Sequence, residues 1–148
     1  MAVNDGREAE GAWRLLRHLD GRAVGRGAAG YLAIAVPCGI AIAALKGNDS
    51  AGSESNLWVV AAVVVLLVAP LVGGGLAGKM QPDAPLAHGA AAVGLPAAAF
   101  LALRALVGLV QGNLTLAQAV SFALFLQVFI GLAMLGAYVA SRRSGALP

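Results

Sequence analysis

Four long stretches of this chain contain no Asp, Glu, Lys or Arg: residues 27–45, 55–78, 84–103 and 105–141. A helix that crosses the ~30 Å hydrocarbon core of a bilayer needs about 20 apolar residues. The first three stretches suit one helix each, and the last suits a helix preceded by part of its neighbour and a neutral turn. None of them has the polar face that a helix on the surface of a soluble protein needs. None alternates apolar and polar residues as a transmembrane β-strand does. The pattern predicts an all-α, polytopic membrane protein, a four-transmembrane-helix bundle of two hairpins, with spans at about 28–45, 57–77, 86–110 and 117–140.

The polar positions punctuate these spans. Lys46, Gly47, Asn48, Asp49, Ser50, Gly52 and Ser53 form a loop after span one, and Gln111, Gly112 and Asn113 form a tight turn before span four. Between spans two and three lies LVGGGLAGKMQPDAPLAHG, Leu71 to Gly89, the polar break in the middle of the chain. Trp58 and Tyr138 fall near span ends, where an amphipathic ring suits the membrane interface. The leader, residues 1–26, is polar and lacks the short apolar core and cleavage site of a signal peptide, so span one is expected to remain as an uncleaved anchor. Within it Ala12, Leu15, Leu16, Leu19 and Ala23 recur at helical spacing beside Trp13, Arg14, Arg17 and Arg22. This predicts a short amphipathic N-terminal helix on the membrane surface, with each arginine worth about 1 kcal/mol against anionic lipid. The alternative is a solvated tail whose charges only set orientation. Gly21, Gly25 and Gly27 read as a flexible joint between leader and bundle, and residues 142–148 as a cytoplasmic tail after a 27–141 transmembrane domain.

Composition agrees with the pattern, since 59% of the residues are hydrophobic and only 11% charged. The net charge of +3 is not a nucleic-acid signature, because the basic residues flank span ends instead of forming a patch with aromatics. In a four-span topology Arg7, Arg14, Arg17, Arg22, Arg26, Lys79, Arg142 and Arg143 share one side, against Lys46 and Arg104. The positive-inside rule then makes both termini cytoplasmic and the location the cell inner (plasma) membrane. Cys38 is the single cysteine, which excludes an intrachain disulfide and a zinc set built on thiolates.

Helices in lipid associate through small residues that let backbones approach. Gly74 and Gly78 form a GxxxG pair with Gly73 and Ala77 beside them. Ala90, Gly94 and Ala98 repeat the spacing in span three, and Ala133, Ala137 and Ser141 in span four. Pro37, Pro70 and Pro96 lie inside spans, where each removes a backbone donor, and kinks are expected there. Arg104 is an ionisable residue within a span and therefore a candidate for function, although a side chain so near the outer end also suits an interfacial anchor. Gln127, at matching depth in span four, is a candidate hydrogen-bond partner for it. His88 and Asp83 lie together at the cytoplasmic mouth near Lys79. As metal ligands they lack the further donors a site requires, and the expectation is an interfacial His that opens a helix. No acidic residue lies inside a span. No Ser/His/Asp set, HExxH or Walker loop is present, and GGGLAG does not follow a strand as a dinucleotide loop would. No catalytic residue, metal or cofactor is expected.

The run GGGLAG, a short polar turn, then HGA at the start of the next apolar span resembles the centre of small four-span bacterial membrane proteins of uncharacterised function. The matching positions are Gly74, Gly75, Ala77, Gly78, His88 and Gly89, within a likeness covering Leu32 to Ala140. The Ala/Gly/Arg-rich composition is similar to that of a high-GC bacterium such as an actinobacterium, while the Trp/Arg leader departs from the shorter leaders of that family. The resemblance implies a fold but no activity. The residues together point to a non-enzymatic integral membrane protein, an accessory or scaffold subunit packing through Gly/Ala faces. The alternative is a small transporter or channel component that oligomerises around Pro37, Pro96, Arg104 and Gln127. Expected partners are the lipid bilayer, anionic lipid at Trp13, Arg14, Arg17 and Arg22, and further subunits in a homo- or hetero-oligomer.

Overall fold

The computed structural model describes residues 19–46, 53–81 and 83–143. Within them the chain forms four α-helices: α1 (Gly21–Lys46), α2 (Ser53–Met80), α3 (Pro85–Val110) and α4 (Leu116–Arg143). Each contains a segment of 24 to 28 residues that is long and apolar enough to cross a membrane. The architecture is the all-α, four-helix bundle of a multi-pass membrane protein. The predicted leader helix lies outside the described residues up to residue 18, with Trp13, Arg14 and Arg17, as do the loop at 47–52 and the tail at 144–148. Its last residues, Arg22 and Ala23, belong instead to the first turn of α1, and Ala23 is buried in the bundle, not on a membrane-surface face.

Local chemistry sets the helix ends. Asp20 precedes α1 and its Oδ1 accepts the Arg22 N–H at 2.8 Å, an N-cap that satisfies one of the free donors of the first turn. Pro85 opens α3, where its missing N–H leaves no donor unsatisfied. After α3 the chain reverses at Gly112, whose φ of +68° is left-handed. The Asn113 and Leu114 amides both donate to the Gly108 carbonyl, at 2.9 and 3.1 Å. Thr115 and Gln118 then form a reciprocal capping box. The Gln118 N–H donates to Thr115 Oγ1 at 3.3 Å and the Thr115 N–H to Gln118 Oε1 at 3.0 Å.

Two expectations are corrected. The glycines at 21, 25 and 27 are not a joint but the first two turns of α1. Gly27 is buried, and a Cβ there would lie 2.7 Å from the Gly73 carbonyl oxygen and 2.7 Å from Ala92 Cβ, so it is glycine for the sake of contact. The buried stripe of α3 is His88, Gly89, Ala92, Val93, Gly94 and Ala97, with Ala90 and Ala98 only half-buried, because the helix turns the His88 side inward. Pro37, Pro70 and Pro96 all sit inside helices that continue through them.

α2 is the spine of the bundle. It packs against each of the other three helices, α3 packs against each of the others as well, and the backbones of α1 and α4 do not meet among the described residues. Adjacent glycines of α2 serve opposite neighbours. A Cβ on Gly73 would strike Tyr31 Cβ of α1 at 2.7 Å, whereas one on Gly74 would overlap the Ala133 backbone of α4. Gly78 likewise faces Ala137 Cα at 2.8 Å, and Gly89 of α3 faces the same alanine's Cβ at 2.7 Å. Across the gap between α1 and α4 the side chains do meet. Tyr31, buried with Ala69, Val93 and Ala133, stands edge-on to Phe129 with ring centroids 6.3 Å apart, an arrangement favoured by the ring quadrupoles.

This packing is confined to one end. The start of α1, the end of α2, the start of α3 and the end of α4 converge there, and every buried residue falls in these halves of the helices. Toward the other end the described residues are half-buried at best. α3 keeps a stripe of Ala98, Leu101, Ala105 and Gly108, and α4 one of Phe122, Leu126, Phe129 and Ile130.

Candidate functional site

The polar groups that the bundle brings together lie at the converging ends, around His88. The ring is 3% exposed. Its Nε2 accepts the backbone N–H of Asp20 at 3.0 Å, and its Nδ1 lies 2.8 Å from the Ala84 carbonyl oxygen, one turn back on its own chain. An amide can only donate, so Nε2 is the acceptor, and Nδ1 carries the proton given to Ala84. The geometry therefore fixes a neutral imidazole in a single tautomer. Both nitrogens are engaged, leaving no lone pair directed at solvent.

Asp20 completes the cluster from the other side. Besides capping α1 through Oδ1, it accepts a hydrogen bond at Oδ2 from Gln81 Nε2 at 2.8 Å. The Arg22 amide and then the Gln81 amide hold the Asp20 carboxyl below its ordinary value, with smaller help from the Ala23 amide and the Arg22 charge, against a partial desolvation that acts the other way. The first turn of α1 is thus tied to the α2–α3 connection and to the first turn of α3. Nearby, Arg26 Nη1 of α1 approaches Met80 Sδ at the end of α2, 3.8 Å away. At the end of α4, buried Ser141 donates to the Tyr138 carbonyl at 2.9 Å, and the Arg142 guanidinium lies 5.4 Å from the Tyr138 ring centroid, within the range of a cation–π contact.

The residues singled out from the sequence are dispersed. Gly74 and Gly78 both face α4 in the packed end. His88 is in the polar cluster, but its partner is Asp20, and Asp83 stands exposed in the turn. Arg104 and Gln127 are both exposed on the outer halves of α3 and α4, and no hydrogen bond joins them. Arg22 is exposed in the first turn of α1. Among the described residues no three His, Cys, Asp or Glu side chains come together as a metal site would require. Asp20 and Gln81 were not marked by the sequence reading. Asp20 did carry a signal, an Asp immediately before a helical segment, whereas Gln81 carried none. Tyr31, in the middle of an apolar run, was equally silent.

A second feature is a groove of about 710 Å³ on the outside of the bundle between α2 and α4. Its floor is made by Gly75 and Gly136, its walls include Leu76 and Val139, and Lys79 and Arg143 stand at its end. No protein-family model, curated protein or solved structure matches this chain.

Proposed function

We propose that the chain is a non-enzymatic integral membrane protein of the cell inner membrane that serves as an accessory or scaffold subunit, with both termini in the cytoplasm. The observation that carries this reading is the unequal packing of the bundle. One end is sealed by glycine and alanine against backbone and by the Asp20–Gln81–His88 bonds, while the other leaves Leu103, Leu106, Leu109, Val120, Leu124 and Phe125 more than half exposed. A rigid foot with a broad apolar surface above it suits a subunit that is held in place at one leaflet and covered by a larger assembly. The likeness to small four-span bacterial membrane proteins belongs to the same proposal, since Gly74, Gly75, Ala77, Gly78, His88 and Gly89 all lie in the packed foot.

One observation favours a second reading. Arg104 and Gln127 are exposed polar side chains on the outer halves of α3 and α4, and they would line a path only between copies of a homo-oligomeric transporter or channel. Purification in mild detergent, mass measurement and identification of co-purifying proteins separate the two. A hetero-complex of defined stoichiometry is expected. A homo-oligomer supports the second reading, and a strictly monomeric, partnerless protein overturns both.

A further inference from the structure

We propose that the groove between α2 and α4 is a binding site for an anionic phospholipid, with an acyl chain lying along the helices and the phosphate held between Lys79 and Arg143. The proposal rests only on the membrane architecture and stands or falls separately from the scaffold role.

The groove exists because α2 and α4 approach more closely than their side chains alone would allow. A Cβ on Gly136 would come within 2.8 Å of Leu71 Cα, so the floor is bare backbone. From Leu71 to Lys79 the groove follows eight residues of helix, about 12 Å at 1.5 Å per residue. That is long enough for the upper part of an acyl chain. Its lining is almost wholly apolar until the last turn, where both helices end in a cation: Lys79 at the end of α2 and Arg143 at the end of α4. Both are exposed, and neither forms an ion pair or hydrogen bond with another described residue.

Among the described residues, the neighbouring charges leave these two cations available. Arg142 is turned onto the Tyr138 ring, so the adjacent arginines of α4 occupy different faces. Asp20 is bound to Gln81 and the Arg22 amide. An apolar furrow at membrane depth that ends in two cations with no ion-pair partner among the described residues matches one molecule of the surroundings: a lipid with a negative headgroup. This site is made by residues other than the leader arginines, since its cations are Lys79 of α2 and Arg143 of α4 and it has a shape as well as a charge.

Gly75 provides a steric test. A Cβ there would meet the Gly136 carbonyl oxygen at 3.4 Å and Ala140 Cβ at 3.7 Å, ordinary contacts, so a larger side chain at this position can occupy the groove without separating the helices. Full-length protein in detergent is titrated with phosphatidylglycerol or phosphatidylcholine of the same acyl composition, and retained lipid is counted by native mass spectrometry. Wild-type protein is expected to hold one phosphatidylglycerol in preference to phosphatidylcholine. Lys79→Gln with Arg143→Gln should weaken retention roughly thirtyfold, Lys79→Arg should preserve it, and Gly75→Leu should remove it. Arg14→Gln with Arg17→Gln should leave it intact. Variants are compared at equal helicity and monodispersity, and Gly75→Ala serves as the folded control should Gly75→Leu misfold. Equal retention of both lipids, indifference to the Lys79 and Arg143 changes, or loss on changing only the leader arginines would overturn the proposal.

Discussion

Asp20 connects three parts of the chain through one residue: its carboxylate caps α1 and receives Gln81, and its amide is received by His88. The carboxyl is held below its ordinary value, so the ionised form is the one that the folded state favours. Its stabilising contribution is complete above the ordinary carboxylate range, near pH 4, and disappears as the pH falls through the lower value of the folded state. In Asp20→Ala the thermal midpoint in detergent should be lower than wild type at neutral pH, with the difference closing in acid below that range. A difference independent of pH would mean that the carboxylate charge plays no part. His88 illustrates what sequence could and could not convey. Its place at the opening of α3 was readable from the Pro85–His88–Gly89 run, but its partner was not, because Asp20 is 68 positions away and contributes a backbone group, which every residue possesses.

The helices themselves were largely legible, because charge-free runs of membrane length have few other interpretations. Their faces were less so. Gly74, Gly78, Ala133 and Ala137 followed from small-residue spacing, and the structure joins them. In α3 the same spacing pointed to Ala90 and Ala98, whereas the buried stripe includes His88, Ala92 and Val93. In a helix that is apolar all round, periodicity carries no signal for which side faces lipid. Glycines separate the two environments experimentally. Gly74→Ala pushes a methyl group into the Ala133 backbone and should destabilise the bundle by about 1–3 kcal/mol, the usual cost of overpacking. Gly131 has open space around its Cβ direction, and Gly131→Ala should be neutral or stabilise by up to about 1 kcal/mol through helix propensity. Thermal melts of both variants in one detergent give the comparison, and equal losses would show that the α2–α4 contact is not the tight one.

For the bundle in its bilayer, the start of α1 and the end of α4 lie at the same end. The basic residues Arg22, Arg26, Lys79, Arg142 and Arg143 gather there too, which is why the positive-inside rule assigns that end to the cytoplasm. Single cysteines at Ser50 and Ser144, in a Cys38→Ala background, test the orientation in intact cells. An impermeant thiol reagent added outside should label position 50 and spare position 144. The reverse pattern would invert the topology and place Lys79 and Arg143 in the outer leaflet.

The adjacent glycines of α2 also have a consequence in time. Gly73 meets Gly27 and Tyr31, which have already been synthesised when α2 emerges, so the α1–α2 hairpin can close at once. Gly74 and Gly78 face Ala133 and Ala137, residues that follow only after α3 and most of α4 have been made. At about 5–20 residues per second, that wait lasts roughly 3–12 s. Throughout it, the face of α2 that will receive α4 lies bare against lipid or against whatever insertion machinery shields it. The polypeptide is therefore most vulnerable to mispairing after its second helix and before its fourth.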